Sequence, residues 1–359
     1  MKNRHNEILM IAQFPENISP NQRFRFELYK DLLTRNGFNV TSKPFLDKNA
    51  LEVIHKYGYL FKKIAATLKG YLQRFLLIFS INKYKYIFLQ REVAPLGPPI
   101  FEWIYIKILR KKVIFDFDDA IWITFVSKQN SLAEIFENAD KVKKICKWSY
   151  KVSCGNEYLC NYARQYNPNV ILNPTCVDTE NKHNILANHD VDRITIGWTG
   201  SFSTLFYLNI VEPALQKLQL KYDFDIKIIC SEAPALKLQN VQFVEWSEEN
   251  EVSELATCQI GLMPLYQEEW SEGKCGFKLI QYMSLEIPSV SSPIGVNNII
   301  IEEGVNGLFA STDEEWYDGI ERLLLDTTLR KTMGKSGREK VVQQYSLRSN
   351  EQHFLSLFS

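Results

Sequence analysis

Short apolar runs alternate with longer stretches of helical period along the whole chain. Residues 8–14, 39–42, 86–90, 113–117, 151–154 and 170–172 read as buried strands. Between them lie amphipathic stretches around 23–36, 50–80, 100–109 and 156–166. Apolar strands separated by helices predict a parallel sheet covered on both faces. The rhythm breaks at 173–192, a polar stretch that opens on Asn-Pro and lacks either hydrophobic period, so it reads as a linker. It restarts with strands at 194–198, 225–230, 241–245, 260–263, 288–291 and 307–310. The helices expected there lie near 206–220, 251–257, 277–285, 312–325 and 329–345.

The fold class expected is therefore α/β, with two tandem Rossmann-like domains at 1–173 and 193–345, joined by a linker at 174–192. A length of 359 residues agrees with two domains, because it exceeds what one core usually supports. The 42 basic and 42 acidic residues cancel, which leaves no global reason to expect a nucleic-acid partner. Seven dispersed cysteines form no C-x-x-C pair and read as buried thiols in a reducing compartment. The first seventeen residues lack a small-residue cleavage site and read as a first strand. No uninterrupted run of about eighteen apolar residues occurs, so a cytoplasmic protein is expected.

Charge is uneven locally. Residues 53–91 contain no acidic side chain and eight basic ones, and 60–81 mix Lys62, Lys63, Lys69 and Arg74 with Phe61, Leu68, Tyr71, Leu72, Phe75, Leu76, Leu77 and Phe79. This pattern suits contact of residues 60–85 with an anionic membrane surface. It suits equally a core-facing helix with a solvated basic side, and the sequence leaves both open.

Candidate chemistry concentrates in the second half, which holds twelve of the sixteen glycines beyond residue 150. Residues 268–310 order a glycine-containing loop, a helix starting near Phe277, a strand, a second loop and a second helix. A helix N-terminus exposes unpaired N–H groups and partial positive charge, which suits a diphosphate. Lys274 and Lys278 flank that first turn, and Gln281 shares a helical face with Lys278. Gly200-Ser201 after the second domain's first strand is a further N–H source. In the first half, Arg91 ends a strand, and Asp116-Phe117-Asp118-Asp119 ends the next. For this cluster the sequence allows a role in the cleft, a cap for the next segment, or a D-x-D metal site.

The stretch Gly276-Phe277-Lys278-Leu279-Ile280-Gln281-Tyr282-Met283, with Pro288-Ser289-Val290-Ser291-Ser292 and Gly304-Val305-Asn306-Gly307-Leu308, resembles the donor-binding region of retaining family 4 glycosyltransferases of GT-B fold. Ile114-Phe115-Asp116-Phe117-Asp118-Asp119-Ala120-Ile121-Trp122 resembles a segment of the bacterial surface-polysaccharide group among them, as do Arg23-Phe24-Arg25 and 196–201. The resemblance implies two domains facing each other across a cleft, with a C-terminal helix at 346–359 crossing back to the N-terminal domain. It implies a peripheral enzyme at the inner membrane face that takes a nucleotide-sugar, UDP- or GDP-linked, to a glycan or lipid-linked acceptor. It implies donor binding by Gly200, Ser201, Lys274, Gly276, Phe277, Lys278 and Gln281, and catalysis involving Asp118, Asp119, Arg91 and Lys278. Arg23 and Arg25 fall on the acceptor side, and neither a cofactor nor a metal is expected. The usual first glutamate falls at Gly273, with Glu272 displaced by one, and Gln281 replaces the second. The five histidines supply no convincing equivalent of the family's N-domain histidine. A noncatalytic sugar-nucleotide-binding subunit or a GT-B epimerase are the alternatives.

Overall fold

The computed structural model describes residues 6–54, 58–123 and 139–359. The chain divides into two compact units, one running to Pro174 and taking back Glu351–Ser359, the other comprising Thr175–Asn350. The C-terminal helix Leu347–Leu355 thus begins in the second unit and ends in the first.

The first unit is built on strands β1 (Glu7–Ala12), β2 (Asn39–Pro44), β3 (Tyr86–Gln90), β4 (Lys112–Phe117), β5 (Lys151–Cys154) and β6 (Val170–Leu172). They form one sheet in the order β2-β1-β3-β4-β5-β6. All pairings are parallel, with Gln90 opposite Asp116 and Asp116 opposite Ser153. The second unit repeats the plan with β7 (Thr195–Thr199), β8 (Asp225–Cys230), β9 (Val241–Glu245), β10 (Ile260–Met263), β11 (Ser289–Ser291) and β12 (Leu308–Phe309). Their order is β12-β11-β10-β7-β8-β9. Strand order reverses between β1 and β3 and again between β7 and β10, the points where such sheets bind ligands beyond their carboxyl ends.

The strands fall where the apolar runs place them, but several helices do not. The stretch expected as one helix over 23–36 is broken into Pro20–Arg23, a 3₁₀ turn Glu27–Tyr29 and Lys30–Arg35. Gln22, Arg23, Phe24, Arg25 and Phe26 are all buried, and no 3.6-residue period can turn five successive side chains inward. The expected helix over 50–80 is two, Lys48–Ile54 and Leu60–Ser80. Gly58 and Tyr59 at φ +85° and +56° precede the second. Pro213 sits in the first turn of Glu212–Gln219, which divides that helix from the preceding 3₁₀ segment Phe202–Ile210. The helix Ala139–Trp148 has no counterpart in the sequence reading.

One further expectation is corrected. The stretch read as a linker is packed into the second unit: Cys176, Val177 and His183 are buried. Val177 N–H donates to Tyr345 O at 3.0 Å, and Arg338 Nη1 to His183 O at 3.0 Å. Its polar composition concealed this, because its partners lie on the distant helix Thr327–Gln344. In addition, Leu60–Lys83 is long and apolar enough by composition to cross a membrane, although it contains no uninterrupted apolar run.

The end of the chain is held on the first unit by aromatic packing. Phe354 stacks on Tyr29 at 3.8 Å, and Phe358 lies 5.8 Å from Phe38 and 6.4 Å from Phe88. At the carboxyl edge of the same sheet, Arg25 is wholly buried and forks onto Asp116 through Nε at 3.1 Å and through Nη2. Arg25 Nη1 donates to Asn173 O, and Ser153 Oγ donates to Asp116. Breaking a buried pair strands a charge, so Arg25→Ala should cost the first unit about 3–5 kcal/mol. A double substitution, Arg25→Met with Asp116→Leu, should recover most of it; urea unfolding of the three proteins measures both.

Candidate functional site

In the first unit, Arg91 follows β3 directly and holds φ at +63°, a left-handed conformation that a bulky residue adopts only when its surroundings impose it. Its N–H donates to Asp116 O at 2.9 Å. Its Nη2 reaches Asp118 Oδ1 at 3.1 Å and also contacts Asp119. β4 ends at Phe117, so strand alternation no longer governs the residues beyond it. Asp118 therefore parts from Asp116, which faces Arg25, and joins Asp119 on Arg91. Among the described residues, Gln90 Nε2 and Arg91 Nε are buried donors with no protein acceptor. Beside this cluster Trp122 stacks on Tyr162 at 3.7 Å with ring planes 2° apart. Tyr158 and Tyr162, one helical turn apart on Glu157–Arg164, are functional-site candidates that the sequence reading passed over.

The electrostatics of the cluster work against its one excess negative charge. Burial pushes the Asp118 carboxyl above its ordinary value; Arg91 opposes this, and the neighbouring Asp119 charge adds to it. Burial works against the Arg91 charge, but the two carboxylates outweigh it and hold the guanidinium firmly protonated.

The acceptor-side expectation for Arg25 is corrected: it is interior and committed to Asp116. Arg23 is buried too, with its guanidinium 4.8 Å from the Phe24 ring centroid. Both arginines turn inward because their whole segment does.

In the second unit Trp198 lies against two of the residues singled out from sequence, Gly200 and Lys278. Its ring is 1% exposed, and Lys278 Nζ lies 5.4 Å from its centroid. A Cβ on Gly200 would stand 2.4 Å from Trp198 Cη2, so only glycine fits against the ring. Gly276 starts the helix Phe277–Ser284 at φ +66°, and a Cβ there would meet Ile300 Cδ1 at 2.2 Å. Lys278 occupies the first turn of that helix, half-buried, and Phe277 opens it. Lys274 Nζ sits over the Trp270 ring at 5.0 Å. The hydroxyls of Ser201 and Ser203 lie 2.9 Å apart at the head of the 3₁₀ segment.

Two details depart from expectation. The Gly200 N–H already donates to Ile229 O at 3.1 Å, which leaves it spent on the sheet. Gln281 is buried, and its Nε2 donates to Glu251 Oε1 at 2.8 Å. Glu251 heads the separate helix Glu251–Leu255, a helix expected near 251–257, although its pairing with Gln281 was not. Residues 304–307 turn out to build a turn. Asn306 accepts from Glu302 N–H at 2.8 Å and Gly304 holds φ +78°.

A hollow of about 360 Å³ opens past β10, β11 and β12, bounded by Asn209, Tyr266, Gln267, Ser292, Pro293 and Asp313. Of the residues quoted for the resemblance only Ser292 lines it, and none of the expected donor-binding or catalytic residues does. Among the described residues no group of three or more His, Cys, Asp or Glu could hold a metal ion. His5 and His55 lie outside the described residues. His189 engages Glu286 O, and His353 engages Leu172 O.

These features define a class. Residues 193–326 match the family described as glycosyl transferases group 1. The whole chain has the fold of GT-B glycosyltransferases. Sucrose-phosphate synthase from Thermosynechococcus elongatus superposes with a TM-score of 0.71 at 14% identity, over 98% of each chain. Anabaena Alr3699/HepE in complex with UDP-glucose does so at 0.71 and 14%, over 99% of each. A glycosyltransferase from Rickettsia africae gives 0.69 and 13%, again over 99% of each. A comparison with curated proteins returns no match. The chain thus has the GT-B fold throughout, and its second unit carries the segment that matches the glycosyl transferases group 1 family.

The raised Asp118 value fixes a sign. Protonation favours the fold, so this group's contribution is fully present below the unfolded value near about 4 and is lost as pH rises through the folded value. Asp118→Asn should therefore leave stability at neutral pH equal to or above that of the parent. Thermal midpoints of both proteins across acid to neutral pH measure this, and a variant markedly less stable at neutrality would contradict it.

Proposed function

We propose that the protein moves a sugar from a UDP- or GDP-sugar to a glycan or lipid-linked acceptor, with retention of anomeric configuration, in cell-surface polysaccharide synthesis. The observation that carries this reading is the Trp198 assembly. It brings Lys278 and the start of the Phe277–Ser284 helix to the carboxyl ends of β7 and β10, beside the strand-order reversal. A lysine ammonium and a helix N-terminus aimed at one place stabilise charge that develops on a departing diphosphate. The matched family lies on this segment, and Anabaena HepE was solved with UDP and with UDP-glucose, which supports a nucleotide-sugar donor.

In the transfer, the bond between the anomeric carbon and the diphosphate oxygen breaks as the acceptor oxygen bonds to that carbon. The acceptor's proton passes to a phosphate oxygen of the leaving nucleoside diphosphate. Lys278 and the helix N-terminus hold the resulting charge. Asp118 and Asp119, fixed by Arg91, orient the acceptor hydroxyl. Lys274, Ser201 and the backbone at Gly276 and Phe277 complete the donor contacts, and no tightly bound metal takes part.

One observation favours a second reading, a noncatalytic nucleotide-sugar-binding subunit: the Gln281 amide is already engaged by Glu251. Incubation with UDP- and GDP-sugars and glycan or lipid acceptors should release nucleoside diphosphate. Tight donor binding with no release from any donor would select the second reading.

Two predictions follow from the Lys278 placement and the metal-free step. Lys278→Ala removes a charge-assisted contact to phosphate, worth about 1.5–3 kcal/mol, and should weaken donor affinity roughly tenfold or more. The side chain is half-buried, so unfolding should barely shift; donor titration beside a thermal melt checks both. Activity should persist in excess chelator, and complete loss restored by Mg²⁺ would overturn the metal-free step.

A further inference from the structure

The helix Leu60–Ser80 is fixed on the first unit by one narrow side. Gly70, Arg74 and Leu77 are buried there, and a Cβ on Gly70 would meet the Phe45 ring at 2.6 Å. Arg74 is 1% exposed and donates to three backbone carbonyls, Val93 O at 2.8 Å and Lys43 O and Ala12 O at 3.0 Å. Tyr105 Oη donates to Arg74 O at 2.9 Å. These contacts leave the helix no freedom to rotate.

Opposite that side the helix presents apolar residues to the exterior. At about 100° per residue, Phe61, Ile64, Leu68, Leu72, Phe75 and Phe79 fall within an arc of roughly 80°, facing away from Gly70, Arg74 and Leu77. Their exposures are 87%, 46%, 64%, 57%, 52% and 75%. The outward side is thus apolar, which corrects the expectation of a core-facing helix with a solvated basic side. The cations lie along its border: Lys62 and Lys69 on one flank, with Lys69 shared with Asp47 at 2.7 Å. Beyond the helix end, Lys83 and Lys85 continue the rim, and Lys111 Nζ reaches Asn82 O at 3.5 Å. Lys85 and Lys112 converge on the Tyr86 ring at 5.0 and 5.4 Å.

We infer that the helix Leu60–Ser80 is a monotopic membrane anchor, lying in the plane of an anionic bilayer with its Phe61-to-Phe79 stripe in the acyl boundary and the lysine rim at the headgroups. An apolar stripe bordered by cations is the arrangement that binds such an interface. At about 1.5 Å per residue the stripe runs for about 30 Å along the surface. A spanning role fails, because withdrawing the helix would strand the Arg74 guanidinium and open the flank that Gly70 and Leu77 close. Pairing with the same helix of a second copy is disfavoured by charge, since residues 53–91 bring no carboxylate to meet the opposing lysines. The anchor does not depend on the chemistry of transfer, and vesicle binding needs no donor, so either reading can fail alone.

The full-length protein should float with vesicles containing about 30 mol% phosphatidylglycerol, release partly at high salt, and bind neutral phosphatidylcholine vesicles weakly. The variant Phe61→Ser, Leu68→Ser, Phe75→Ser, Phe79→Ser should lose vesicle affinity roughly tenfold or more with an unchanged melting midpoint. In a second measurement, Phe75→Trp should show blue-shifted emission on vesicle binding, quenched by lipids brominated near the headgroup more than by those brominated at the chain ends. Absence of vesicle binding, equal binding by the serine variant, equal binding to neutral vesicles, or quenching strongest at the chain ends would each overturn the proposal. So would a dimer dissolved by the serine substitutions in a protein that ignores vesicles.

Discussion

The buried pair between Arg25 and Asp116 is the constraint on which the first unit's working edge depends. One guanidinium meets a strand carboxylate and the carbonyl of Asn173, while Ser153 on the adjoining strand donates to the same carboxylate. Four separated pieces of chain are thereby held at the carboxyl end of one sheet. Such a pair adds little net stability over a well-packed apolar substitute, because desolvation consumes most of the attraction. What it imposes is position: an unpaired charge in that interior is costly, so alternative packings of the edge are penalised. Asp116 also accepts from the Arg91 N–H through its backbone carbonyl. The residue that anchors the interior therefore sets where the Arg91 backbone turns, and the Asp118 and Asp119 carboxylates follow Arg91.

The second unit reaches a similar end by close approach. Trp198 fills the space at the end of β7, and Gly200 is required because the ring leaves no room for a Cβ. Gly276 is required twice over, by its left-handed φ and by Ile300. These are steric demands of packing, yet their result is chemical, since they bring a helix start and Lys278 to the strand-order reversal. A methyl group at either glycine would displace the backbone around it, although neither residue carries a functional group.

The strands were legible because parallel strands buried on both faces leave nearly unbroken apolar runs. The helix Phe277–Ser284 was legible because a glycine, a lysine and an apolar period coincide within a few residues. The rest was hidden by long-range partnership. Arg25 looked like an acceptor-side cation because nothing near it in sequence reveals Asp116, 91 positions away. Gln281 looked like an open donor contact because Glu251 lies 30 positions back on another helix. The acid-free stretch over 53–91 announced a special helix, but both of its long sides carry apolar residues. Only the burial of Gly70, Arg74 and Leu77 decides which side faces out.

The departures at 273 and 281 bear on how far the family's chemistry carries over. Gly273 is buried and has no side chain to contribute, and the neighbouring Glu272 accepts from Gln267 at 3.2 Å. The missing carboxylate is therefore not simply shifted by one position. At 281 the amide hands its hydrogen bond to Glu251, whose carboxylate lies within one hydrogen bond of the place where the resemblance puts a glutamate. The acceptor character of that corner is thus retained by a pair of residues where relatives use one, and carboxylate and amide together offer donors as well as acceptors. Identity of 13–14% with the solved structures establishes the fold and leaves such substitutions free to set the donor. The architecture that this chain shares with those structures does not decide its specificity.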